Sequence, residues 1–306
     1  MGPAGQLAGP FSFPPAFSRA PVVYHRRVSA TAVLLIECDD RKGLVHAATG
    51  VLLRHGLNIV ANDEFVDSES GRFFMRTETE GAADAGVVRD ELLRLLPEGA
   101  IVRVSPRERR RVVVLVTKEY HCVGDLLLRH AHGDLHASIE AVVGNHEVLE
   151  PLARRFEVPF VFVPHGGRSR EEHEEALLEA IRPFEPDLLV LAKYMRILSP
   201  AFIARFPSRM INIHHSFLPA FTGPSPYRQA ARRGVKIIGA TAHFVTEELD
   251  EGPIVAQGVI PVDHSYSAEE MARAGRDVER TVLAQALSLV LEDRVFLCGN
   301  RTVILS

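Results

Sequence analysis

The rhythm of apolar and polar positions changes once along the chain, near residue 110. Before that point short β-rich runs alternate with amphipathic stretches. Thr31–Cys38 reads as a strand. Gly43–His55 carries Leu44, Ala47, Ala48, Val51 and Leu52 at helical spacing, and Gly56 closes it as a left-handed cap. Asn58–Val66 and Gly71–Thr79 read as two strands separated by a turn-like stretch over 67–71. Ala83–Leu96 returns to helical spacing and is stopped by Pro97-Glu98-Gly99, and Ile101–Val104 is a final strand. The predicted order is βαββαβ, a small open-faced sandwich.

Ser105–Arg111 is polar, rich in arginine and interrupted by Pro106, which predicts a linker. After it the strands are apolar at almost every position: Val112–Val116, Ile139–Val143, Phe160–Val163 and Leu188–Ala192. Such runs are buried on both faces, as in a parallel sheet covered by helices, here predicted near 124–132, 147–157 and 170–183. Met210–His214 alternates instead, and two longer β-runs follow, Ile237–Val245 and Ile254–Val262. Between them Ser225-Pro226 reads as a helix start and Arg232-Arg233-Gly234 as its end. A long helix opens with the capping pair Ser267 and Glu270 and turns Val278, Val282, Ala286 and Val290 to one face. Val295–Leu297 and Thr302–Leu305 predict a closing hairpin. The expected fold class is α/β, with a ferredoxin-like βαββαβ unit over 30–106 and a Rossmann-like, mostly parallel sheet over 107–306. Residues 1–29 hold no Asp or Glu but five prolines and three arginines, which predicts a disordered extension; a targeting peptide or an upstream start are the other readings.

Composition narrows the classes of function. The chain has 306 residues, 35 basic and 39 acidic side chains and a net charge of −4, so no basic field invites a nucleic acid. No apolar run nears the roughly 18 residues of a membrane span. Three widely spaced cysteines exclude a disulfide framework and suit a reducing compartment. The expectation is a cytoplasmic protein without membrane or nucleic-acid partners. Dinucleotide, P-loop, CxxC, GxSxG and HExxH motifs are all missing, and His173–Leu177 lacks the second histidine of the last. Histidines 130, 132 and 136 read as surface residues, His215 and His264 as surface residues with shaping of the pocket as the other reading, and the neighbours His121 and Cys122 as diverging.

Chemistry concentrates in Met210–Pro219. Residues two apart in a strand share a face, so Asn212 and His214 project together while Ile211 and Ile213 pack behind them. They stand at a strand end, where open α/β sheets place ligands, and an amide beside an imidazole suits oxyanion stabilisation. Local hydrogen bonding serves these two residues equally well. The polar loop Thr246–Pro253 reads either as a solvated connection or as a carrier that folds Asp250 back to that edge. There a carboxylate orients or deprotonates a water, and the three groups suit acyl chemistry on a carbonyl without covalent nucleophile or metal.

Asn212-Ile213-His214, Ser216-Phe217-Leu218-Pro219 and Leu249-Asp250-Glu251-Gly252-Pro253 resemble the N10-formyltetrahydrofolate hydrolase and transferase superfamily. The likeness runs over about 112–306 and includes Ala192–Ser199 and Gly275–Arg280. Asp39–Leu44 and His55–Ile59 resemble an ACT domain, an amino-acid-sensing module, and the pairing is similar to the hydrolase branch of the superfamily. The resemblance implies hydrolysis of 10-formyltetrahydrofolate to tetrahydrofolate and formate, supplying formate for purine biosynthesis and balancing folate pools. It implies Asp250 as the base for water, Asn212 and His214 on the oxyanion, and folate against Arg196, Ile197, Leu198, Val245 and Glu247. No cofactor and no metal are expected. For the regulatory unit it implies Asp39, Gly43, Asn58 and Ile59 around an amino acid such as methionine or glycine, bound across a domain dimer, hence a homo-oligomer (dimer or tetramer).

Water is the expected acceptor. Superfamily members that formylate a phosphoribosyl-glycinamide amine carry a Gly/Ser-rich loop after the first strand, whereas Val116–Asp125 holds one glycine, two acids and bulky side chains, a poor phosphate nest. Members that formylate tRNA carry a further basic domain, which the acidic balance and the closing hairpin argue against. The rival readings are a formyltransferase with another amine acceptor and a non-catalytic folate- or amino-acid-binding regulator.

Overall fold

The computed structural model describes residues 31–219 and 226–305. The predicted extension over 1–29 and the predicted cap Ser225 lie outside them. The first unit is β1 (Thr31–Asp39), α1 (Leu44–Arg54), β2 (Asn58–Asp67), β3 (Arg72–Glu80), α2 (Ala85–Leu95) and β4 (Ile101–Pro106). Its sheet is antiparallel throughout, in the order β2-β3-β1-β4. One face packs Leu34, Ile36 and Met75 against Leu52, Val88 and Leu92 of the two helices. The other face would be left to water, yet Val33, Leu35 and Phe74 are buried there too, against Phe296 and Leu305 from the far end of the chain. Burial on both faces is why β1 is apolar at four successive positions, Val33 to Ile36.

The expected linker is shorter than its composition suggested. Ser105 and Pro106 continue β4 opposite Val33 and Ala32, and only three residues separate it from β5 (Arg110–Val116). Proline is tolerated at such a strand end because no ladder N–H is required of it, and Arg110 is anchored by Asp293 at 2.8 Å.

From β5 the chain runs through α3 (His121–His132), β6 (Ala137–Gly144), α4 (Glu150–Arg155), β7 (Phe160–Phe162), α5 (Arg170–Ile181) and β8 (Leu188–Leu191). Then come α6 (Pro200–Ile203), β9 (Met210–His214), α7 (Pro226–Arg233), β10 (Ile237–Phe244), β11 (Ile254–Pro261), α8 (Ala268–Leu291) and the hairpin β12 (Val295–Cys298) and β13 (Arg301–Ile304). The sheet order is β11-β10-β9-β8-β5-β6-β7. Strands β5 to β9 pair in parallel, while β10 runs antiparallel to β9 and β11 to β10. The chain builds outward from β5 through β6 and β7, then returns to add β8 and β9 on the other side. The order therefore reverses between β5 and β8. One core layer joins the sheet to α3 and α8, and the other joins it to α5 and α6.

The capping box on α8 forms as predicted, with Ser267 and Glu270 each bonding the other's backbone N–H. Helix α6 is the element the periodicity did not reveal. It is one turn long, started by Ser199, whose Oγ accepts from the N–H of Phe202, and by Pro200.

Phe74 is fully buried, with its ring 5.4 Å from that of Phe296 in an edge-to-face pair. Phe74→Ala is expected to cost about 3–5 kcal/mol of stability by opening a cavity and to release the hairpin, read as an earlier urea midpoint.

Candidate active site

A cavity of about 430 Å³ opens at the carboxyl ends of β8 and β9. Its walls are the β8–α6 segment, the last residues of β9 and the loop after β10. Asn212 and His214 share one face of β9, as strand alternation requires, while Ile211 and Ile213 pack into the core.

The neighbouring strand completes the arrangement. In the β9–β10 register Asn212 lies opposite His243 and Thr241 opposite His214. Asn212 Nδ2 donates to His243 Nε2 at 3.2 Å, and His243 Nδ1 donates to the carbonyl of Phe244 at 2.9 Å. The second bond fixes the tautomer that leaves Nε2 as the acceptor. Burial holds His243 below the usual imidazole range, so it is neutral and acts as a stop that orients the Asn212 amide.

Asp250 does fold back to this edge. Its Oδ2 is 3.3 Å from His214 Nδ1 and its Oδ1 is 3.7 Å from His243 Nε2. Burial pushes the carboxyl upward, but the hydrogen bond and charge of His214, with His243 and His215 nearby, outweigh it and hold Asp250 below the usual carboxylate range. Asp250 is thus ionised at neutral pH. His214 Nε2 is buried and has no hydrogen-bond partner among the described residues. The loop itself is clamped at Gly252: a Cβ there would stand 1.8 Å from the Phe244 carbonyl oxygen, an approach only glycine permits. Hairpin residues hold it from outside, with Asn300 Nδ2 donating to the Glu251 carbonyl and Thr302 Oγ1 to that of Ile254.

All five expected folate contacts, Arg196, Ile197, Leu198, Val245 and Glu247, line the same cavity. Leu198 is buried, while Ile197 is 61 % exposed, so it is not the core residue its sequence context allows. The expected effector residues are not brought together within one chain. Asp39 pairs with Arg72 at one end of β3 and Asn58 with Glu80 at the other. The rise along those intervening residues separates them by roughly 25 Å. Gly43 adopts φ 91 at the start of α1 with no side chain capping the helix, and Asp39 is held by Arg72 at 3.0 Å.

Three histidine and cysteine readings need correction. His215 lines the cavity rather than the surface. Burial, with the charges of Lys193 and His214, lowers it to about 4 and keeps it neutral. His121 and Cys122 do not diverge: at the first turn of α3 both are buried, and their ligating atoms lie within 4.8 Å of each other and of Glu279. That set does not suit a divalent cation, because the Lys193 ammonium already sits 3.1 Å from the same Glu279 carboxylate, and burial pushes the Cys122 thiol up. Glu279 also accepts from Tyr227 Oη at 2.7 Å and pairs with His121 Nε2 at 2.8 Å. Lys193 and Glu279 fall within the stretches 192–199 and 275–280 that carried the resemblance but were given no role, and His243 was not singled out; strand alternation around Thr241–His243 marks His243 only once the register with β9 is known.

A formyl transferase family model matches residues 110–287, and an ACT domain model matches 32–97. The sheet and its strand-end site thus define a formyl transferase fold carrying an ACT domain. The formyltetrahydrofolate deformylase of Escherichia coli O6:H1 is 56 % identical over 273 residues, which are 89 % of this chain and 98 % of that protein. The crystal structure of a formyltetrahydrofolate deformylase from Pseudomonas syringae pv. tomato superposes with a TM-score of 0.88 at 38 % identity, covering 92 % of this chain and 96 % of that one. The chain belongs to the formyltetrahydrofolate deformylase family. A glycinamide ribonucleotide transformylase from Symbiobacterium toebii matches with a TM-score of 0.62 at 33 % identity, over 65 % of this chain and 95 % of that one.

Burial pushes Glu279 upward, but the bond to His121, the charge of Lys193 and the bond from Tyr227 prevail and lower it from 4.5 to about 2. A depressed carboxylate contributes stability that is complete above its unfolded value and disappears as pH falls through the folded one. Glu279→Gln is therefore expected to destabilise the protein at neutral pH, with the gap from wild type closing as pH falls from 4.5 toward 2. Urea unfolding across that window measures it.

Proposed function

We propose that this chain hydrolyses 10-formyltetrahydrofolate to tetrahydrofolate and formate. The observation that carries the reading is the convergence of Asn212, His214 and an ionised Asp250 on a cavity whose other walls suit a flat heteroaromatic ligand. Relatives named as formyltetrahydrofolate deformylases align along nearly their whole length, ACT unit included. Asp250 takes a proton from water as the water oxygen bonds to the formyl carbon. The Asn212 amide, oriented by His243, and a proton on His214 Nε2 donate to the developing oxyanion. Collapse breaks the bond to N10, which leaves with the proton that Asp250 took from water. Ile197, Leu198 and Val245 flank the pterin, and Arg196 and Glu247 supply polar contacts at its edges. The formate released serves one-carbon supply, purine biosynthesis included.

Purified protein given 10-formyltetrahydrofolate is expected to release formate with no acceptor present and at an unchanged rate with glycinamide ribonucleotide. Formate production that requires the amine would make the chain a transferase, and no turnover at all would make it a regulator. Asp250→Ala is expected to lower kcat by roughly 10²–10⁴, the scale of a lost general base. Near-normal turnover by a folded variant would remove Asp250 from that role.

The ACT unit is read as an amino-acid sensor. Because Asp39 and Gly43 lie at the opposite end of the sheet from Asn58 and Ile59, one site built from both groups needs two copies of the chain. Glycine or methionine is expected to shift kcat or KM, and titrations that move neither would count against both as effectors.

A further inference from the structure

Open α/β sheets take ligands outside the carboxyl ends of their strands, in the crevice where strand order reverses. Here that crevice lies between β5 and β8, whereas Asn212 and His214 stand on β9, one strand further out. The crevice is not empty. β5 runs into Thr117, whose Oγ1 accepts from the N–H of Met195 at 2.9 Å, and then into His121. β8 runs into Lys193, and Glu279 of α8 joins the two by bonds of 2.8 Å to His121 and 3.1 Å to Lys193. His121, Lys193 and Glu279 are 8 %, 5 % and 1 % exposed.

Lys193 is also part of the cavity wall, beside Asn212, His214 and His215. It adopts φ 63, a left-handed conformation that strains a residue with a Cβ. A lysine therefore stands where glycine would be relaxed, and strain of this kind collects at functional positions.

We propose that the buried Lys193–Glu279–His121 cluster determines the acceptor: it fills the switch-point crevice and turns the Lys193 end of its ion pair to the cavity wall, so water reaches the formyl carbon and an amine-bearing second substrate does not. An amine arrives largely as its ammonium form and meets Lys193 in the cavity wall, with the paired Glu279 carboxylate behind it and outside that wall, where water screens the nearer charge little. Water carries no charge and needs no crevice. His215, neutral between the two groups, adds no attraction for a cation. The inference rests on the hydrolase reading and adds what excludes transfer.

Lys193→Met keeps side-chain length without charge, and Lys193→Met with Glu279→Gln removes both partners, which is often nearly neutral for a buried ion pair. Each is given 10-formyltetrahydrofolate with glycinamide, and formate and N-formylglycinamide are both measured. In transfer the amine nitrogen bonds to the formyl carbon as the bond to N10 breaks, the acceptor losing a proton and N10 gaining one. Wild type is expected to give formate alone. In the variants the ratio of formylated amine to formate is expected to rise by roughly tenfold or more, the low end of what reshaping a pocket achieves. Folded variants that still make formate alone overturn the proposal, as does a double variant that cannot fold, since the cluster is then structural. Formate from wild type without amine tests the hydrolase reading separately.

Discussion

Five residues of β9 set the geometry on which everything else depends. The strand pairs in parallel with β8 and antiparallel with β10, so its residues are fixed from both sides. That double pairing turns Asn212 and His214 to the cavity and puts His243 directly opposite Asn212. A slip of one residue would bury the chemistry and expose Ile211 and Ile213, which the core does not allow. Precision at the site thus comes from apolar packing behind it, where Ile211 and Ile213 are 0 % and 3 % exposed.

Around this strand the charges are few, buried and mutually satisfied. Asp250 is held ionised chiefly by the hydrogen bond and charge of His214, and Glu279 by a lysine, a histidine and a tyrosine. Asp250 is 3.3 Å from His214, whose ring lies 5.0 Å from that of His215. The two acids stand differently: Asp250 lines the cavity, and Glu279 pairs with the buried His121 and Lys193 side chains beside it. Low dielectric makes each pairing strong and each unpaired charge costly, so neither acid tolerates loss of its partners.

Much of the fold was legible in the sequence because its signals were local. Capping residues at Ser267 and Glu270, the alternation of Met210–His214 and the continuous apolar runs of β5 and β8 each announce an element without reference to the rest of the chain. Asn212 and His214 were legible for the same reason. Asp250 needed the resemblance, since nothing local says where a polar loop folds. Lys193 and Glu279 lie 86 residues apart along the chain, and His243 lies 31 from Asn212, so each meets its partner only through sheet register and the placement of α8. His121 and Cys122 were misread because a turn was assumed where α3 begins, and the first turn of a helix lets neighbours converge on one buried acid.

The closing hairpin joins parts of the molecule made at different times. Arg301 reaches Asp67 at 3.0 Å and Glu69 at 2.8 Å on the first unit, Phe296 covers Phe74, and Asn300 holds the loop that carries Asp250. During synthesis the N-terminal sheet leaves the ribosome with Val33, Leu35 and Phe74 bare on one face, and that face stays uncovered until Phe296 and Leu305 follow. The unit that is built first is finished last, in the same step that secures the Asp250 loop.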